Sequence, residues 1–97
     1  MFGPAPPVHP GEILREEFLA PLGLTADAVA RRCRVPRTRI ERLARKEVPV
    51  TADTALRLGR CFATGPEFWM NLQVMHDLAT AAQATPDIDA IEPLTAN

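Results

Sequence analysis

At 97 residues the chain is long enough for one small domain with a modest core, so burying further surface in an oligomer would add stability. Eleven Lys and Arg stand against twelve Asp and Glu, a formal net charge of −1, which excludes a generic polyanion binder such as a basic tail. There is no Ser or Tyr, no Cys or His at metal-ligand spacing to a second such pair, and no signal peptide or transmembrane run. The expectation is a non-enzymatic cytoplasmic protein without metal or cofactor, whose Cys33 and Cys61 are reduced core residues in apolar helical stripes.

Residues 1–8, with three prolines and a glycine, predict a flexible arm. A first helix begins at His9 with Pro10 in its first turn, Glu12 favourable near its start, and Pro21 to Gly23 ending it. Its core stripe is Ile13, Leu14 and Phe18; Glu12, Glu16 and Glu17 are left outside as an acidic surface. Thr25 then caps a second helix through its hydroxyl, where the free amides would also suit a phosphate.

From Thr25 to Lys46 the sequence TADAVARRCRVPRTRIERLARK reads as two short helices meeting at a tight turn, a helix-turn-helix with a cationic second helix. Ala26, Val29, Ala30 and Cys33 form the first stripe; Arg34 and Val35 interrupt it; Pro36, Ile40, Leu43 and Ala44 form the second. Arg34 sits in the turn, where positive φ would suit Gly better, so some strain is expected there. With Ile40 directed inward, Leu43, Ala44 and Pro36 fall within about 60° of it and Thr38, Arg42 and Arg45 point away. Because the first turn of such a helix meets base edges, Arg37, Thr38 and Arg42 rank as readers of bases. Arg39, Arg45 and Lys46 rank as phosphate contacts. Solvated surface is the ordinary meaning of exposed arginines, but here the charge is sorted along the chain. Eight of the eleven basic residues lie between Arg31 and Lys46 with Glu41 the only acid among them.

The segment EVPVT is a connector, and Thr51 caps a fourth helix with Asp53 in its first turn and Ala52, Ala55, Leu56, Gly59 and Phe62 as its inner stripe. Gly65 and Pro66 start a fifth helix in which Phe68, Leu72, Met75, Ala79 and Ala82 are spaced 4, 3, 4, 3. Trp69, Val74 and Leu78 add apolar surface beyond one stripe. That surplus predicts a dimer interface of Phe68, Trp69, Leu72, Met75 and Leu78, against the alternative that Trp69 and its neighbours close the monomer's own core. His9 and His76 lack a ligand set and read as a capping or surface residue and a polar edge residue. Residues 9–82 are the expected DNA-binding domain and 83–97 a flexible tail.

Four motifs, HPGEILREEFLAPLG, VPRTRI, TADTALRLGR and PEFWMNLQVMHDL, occur in one order from His9 to about Ala79. On them the chain resembles the HigA (VapI-like) group of Xre-type helix-turn-helix antitoxins. The resemblance implies an all-α, five-helix, lambda-repressor-like domain that dimerises. It also implies binding to a palindromic operator upstream of the protein's own operon and neutralisation of a small RelE-like ribonuclease toxin. The family's DNA-reading positions fall on Arg37, Thr38, Arg39 and Arg42, and Thr25 and Arg34 complete the expected contact set. Two positions depart from the family: Ala26 replaces a common Gln that contacts phosphate, and Arg34 replaces a common turn Gly. A helix-turn-helix regulator without a toxin shares every DNA residue with this reading, and an orphan interaction domain is the third alternative.

Overall fold

The computed structural model describes residues 7–95, which form five helices and a short 3-10 turn with no strand. The expected arm over residues 1–8 lies, apart from Pro7 and Val8, outside the described residues. Helix α1 runs over 10–22, α2 over Ala26–Cys33, α3 over Arg37–Ala44, α4 over Ala52–Cys61 and α5 over Pro66–Ala84. Beyond it, the 3-10 turn Ile88–Ala90 is exposed, and so is every described residue from Pro86 on. None of the described helices is long and apolar enough to cross a membrane.

His9 caps α1: its Nδ1 accepts the Gly11 N–H at 2.9 Å, with Pro10 at the first position. From Leu14 to Leu19 this helix is wound as a π-helix. The cause lies at Pro21, which has no N–H to offer the Glu17 carbonyl and whose ring crowds it, so the turns before it open. Gly23, at φ 63, then stops the helix in the left-handed conformation. Thr25 and Thr51 cap α2 and α4, accepting from Ala28 N at 3.1 Å and Thr54 N at 3.3 Å. Arg34 ends α2 at φ 61, and Lys46 and Ala63 also have positive φ, so three helix ends turn without glycine.

The core gathers Leu14 from α1, Val29, Ala30 and Cys33 from α2, Ile40 and Leu43 from α3, Val50, Ala55 and Leu58 from the connector and α4, and Trp69 from α5. Two predicted stripes are corrected. Pro36 is exposed, because it precedes α3 as its extended N-cap with ψ 145 and so stands off the helical wheel. In α4 the buried face is Thr54, Ala55, Leu58 and Gly59, whereas Ala52 is exposed and Leu56 is 61 % exposed. Leu56 lies about 160° around the axis from Leu58, and only one of two leucines so placed can face inward. Thr54 is buried at little cost because its hydroxyl accepts from Thr51 Oγ1 at 3.2 Å.

Trp69 is the third correction. It is fully buried, with ring centroids 5.1 Å from Phe18 and from Phe68, and its indole N–H donates to Thr64 Oγ1 at 3.0 Å. Gln73, one turn on, is buried beside the connector, where its Oε1 accepts the Val50 N–H at 2.7 Å. Leu78 lies about 180° around α5 from Trp69, so the five predicted interface residues cannot form one stripe. Trp69 belongs to the monomer core, as the alternative held, and Leu72 is half-buried against that core. Phe68, Val74, Met75 and Leu78 stay exposed.

Candidate nucleic-acid interface

Helix α3 is held by two side chains and by its ends. Ile40 and Leu43, each 1 % exposed, bury one face, and the opposite face carries Thr38, Arg42 and Arg45 in the open. At the C-terminal end α1 approaches without a gap: a Cβ on Gly11 would stand 1.8 Å from the Leu43 carbonyl oxygen. Beside it Arg15 donates from Nη1 to the Ala44 carbonyl at 2.9 Å, satisfying one of the carbonyls that a helix end leaves free. Lys46 reaches Glu12 of α1 at 4.0 Å.

The N-terminal end is tied to α4. Arg57 donates from Nη1 to the Cys33 carbonyl at 2.9 Å and the Arg34 carbonyl at 3.4 Å, across the turn between α2 and α3. Its Nε donates to Asp53 at 2.9 Å, and Asp53 also pairs directly with Arg39. The two guanidinium groups hold the Asp53 carboxyl below its ordinary range, chiefly by hydrogen bonds. No side chain caps α3, and in its first turn the Arg39 N–H donates to the Pro36 carbonyl at 3.0 Å.

Thr38, Arg39 and Arg42 form one wall of a shallow cleft of about 600 Å³, with Pro49, Thr51 and Asp53 opposite. Arg37 lies at the first position of the same helix and is exposed. Thr25 and Arg34 are not in this cleft; they flank a separate depression with Asp27, Arg31 and Arg32. The Thr25 oxygen already accepts the Ala28 N–H, so the hydroxyl hydrogen is what it has left to donate.

Folding changes the charge balance read along the chain. Arg31 pairs with Asp27, Arg37 with Glu41 at 3.4 Å, Arg39 with Asp53, Arg42 with Glu47 at 3.6 Å and Lys46 with Glu12. Four of those five acids come from outside the basic stretch. Among the described residues, Arg32, Arg34 and Arg45 make no ion pair. Exposed pairs of this kind contribute no more than about 1 kcal/mol each, so a phosphate can replace the carboxylate without a large loss. Sequence reasoning did not assign roles to Gly11, Arg15 and Arg57. The Gly after a helix-starting Pro was a faint signal for the first; the arginines had none, because they act on carbonyls 29 and 24 residues away.

No family model matches the chain. Relatives do. It is 47 % identical over 90 residues to virulence-associated protein I of Dichelobacter nodosus, covering 93 % of this chain and 83 % of that one. It is 40 % identical over 72 residues to antitoxin HigA-1 of Vibrio cholerae, covering 74 % and 68 %. Among solved structures, the Pseudomonas aeruginosa antitoxin HigA with higBA promoter superposes with a TM-score of 0.84 at 44 % identity, over 92 % of this chain and 99 % of that one.

Proposed function

Because the chain belongs to the HigA family of helix-turn-helix antitoxins, we propose that it is the antitoxin of a type II toxin–antitoxin pair. In the cytoplasm, as a two-fold dimer, it represses its own operon from a palindromic operator and neutralises a RelE-like ribonuclease toxin. The family consists of DNA-binding proteins rather than enzymes. The observation that carries the reading is α3 itself: anchored at both ends, buried through Ile40 and Leu43, with Arg37, Thr38, Arg42 and Arg45 left facing solvent.

In this reading Arg37, Thr38 and Arg42 meet base edges in the major groove. Arg39, Arg45 and Lys46 meet phosphates, with Thr25 and Arg34 contacting the backbone to one side. Two copies of α3 about 34 Å apart would enter successive major grooves on one side of the duplex, which requires a two-fold interface. The exposed Phe68, Met75 and Leu78 of α5, with half-buried Leu72 beneath, supply the apolar surface for it.

The test is fluorescence anisotropy on the duplex upstream of the protein's own gene, from 50 to 200 mM salt. A dimer neutralising roughly 6 to 10 phosphates loses about three to five decades of affinity over that range. A flat response rejects operator binding. Co-purification with the product of the adjacent gene tests the toxin; operator binding without a co-purifying toxin would leave a stand-alone regulator.

A further inference from the structure

Helices α2 and α4 both end in cysteine, at Cys33 and Cys61. Cys33 is 6 % exposed within the core; Cys61 is half-buried and packs against the same cluster. Neither is in a disulfide. Both line a shallow cleft of about 580 Å³ whose other walls are Arg32, Arg34, Leu56, Arg57 and Arg60. The Cys33 thiol is pushed up to about 11, first by burial and then by the neighbouring Cys61 thiol.

A buried thiol is ordinarily an inert small hydrophobe. This pair differs in two respects. Both thiols line one cleft, Cys61 the more open of the two, and the cleft is walled by four guanidinium groups. Of these Arg57 alone is held by an acid, Asp53; Arg32, Arg34 and Arg60 make no ion pair among the described residues. A partly exposed thiol is the one an oxidant reaches first, and a second thiol on the same cleft can resolve the product.

We propose that Cys33 and Cys61 form a peroxide-responsive dithiol site, with Cys61 as the attacking thiol and Cys33 as the resolving one. The Cys61 thiolate attacks one oxygen of hydrogen peroxide, the O–O bond breaks, and the departing hydroxide takes a proton to leave as water. Cys61 becomes a sulfenic acid. The Cys33 sulfur then attacks the Cys61 sulfur, the S–O bond breaks, and hydroxide with the Cys33 proton leaves as a second water. Two thiols are oxidised to one disulfide while one peroxide is reduced to two waters. The bond closes a loop over residues 34–60, which contains the whole of α3, and fastens the end of α2 to the end of α4.

The experiment exposes the reduced full-length protein to a few equivalents of hydrogen peroxide. Free thiols are then blocked with N-ethylmaleimide, and intact mass and a non-reducing peptide map are read. The expected product has lost two hydrogens, takes up no maleimide, carries a Cys33–Cys61 cross-link within one chain and is restored by dithiothreitol. Cys33→Ser should stop at a dimedone-reactive sulfenic acid on Cys61. Cys61→Ser should consume peroxide at least about tenfold more slowly, since the remaining thiol is buried. Full maleimide labelling of both thiols after oxidation, a cross-link only between chains, or an undiminished rate in Cys61→Ser would each overturn the proposal. The wild-type measurement requires no variant to fold.

Discussion

Replacing Gly11 by Ala tests whether α1 sets the position of α3. A carbon approaches a carbonyl oxygen to about 3.3 Å, so a Cβ placed 1.8 Å from the Leu43 oxygen forces the two helices apart by about 1.5 Å. That displacement takes the Arg15 to Ala44 hydrogen bond, now 2.9 Å, out of range. Losing a bond from a charged donor costs about 1.5–3 kcal/mol, and the strain of overpacking about 1–3 more. The sum, roughly 2.5–6 kcal/mol, is a large part of the about 5–15 kcal/mol that typically holds such a domain together. Gly23→Ala is the control: its φ of 63 strains an alanine by about 1–2 kcal/mol, but nothing lies within 4 Å of the new methyl. Urea unfolding followed by circular dichroism measures both variants. Equal losses at the two positions, or a loss below about 1 kcal/mol at Gly11, would refute the account of α1 as a close-fitted anchor.

Arg42→Ala should lose about 1–3 kcal/mol on the cognate operator and little on a scrambled duplex, while Lys46→Ala should weaken both alike; paired anisotropy titrations decide whether Arg42 reads a base. Ala63→Gly should raise the melting temperature by several degrees, because the left-handed conformation at φ 58 costs alanine more than the extra unfolded-state freedom costs glycine; a lower melting temperature would contradict this. Burial, His76 and Lys46 hold the His9 pKa below its ordinary value, so the folded state prefers the neutral ring whose Nδ1 accepts the Gly11 N–H. The stability this contributes is full above about pH 6.5 and declines as pH falls from there through the lowered value, and His9→Asn, which keeps an acceptor without titrating, should flatten that part of the urea-midpoint curve. Glu at Met75 or Leu78 should yield a folded monomer with weakened operator binding, as read by light scattering, a thermal melt and anisotropy together; an intact dimer would place the interface elsewhere.

The features legible in the sequence were those whose cause lies within a turn or two along the chain. Thr25 and Thr51 cap because a hydroxyl before an apolar run reaches an amide three residues on, and the α3 ridge follows from helical geometry once Ile40 is set inward. The strain expected at Arg34 is present as its positive φ. What stayed hidden depended on distant partners or on residues indifferent to burial. Thr, Ala and Gly fit either side of α4, so the stripe drawn through Leu56 looked as good as the true one through Leu58. Trp69 was assigned outward because apolar surplus on α5 does not say which part of it the other four helices already need. The local surplus of positive charge could not show that Asp53 and Glu12 fold back upon it.

Helix α3 gives the core two side chains and is otherwise gripped through backbone carbonyls, at Leu43 and Ala44 by α1 and at its preceding turn by Arg57. Backbone grips are indifferent to side-chain identity. Arg37, Thr38, Arg42 and Arg45 can therefore be exchanged, singly or as a set, at a stability change within about 0.5 kcal/mol each. With these side chains as the proposed operator contacts, the fold uncouples recognition from folding, and a lineage of such chains can drift from one operator to another without passing through an unfolded intermediate sequence.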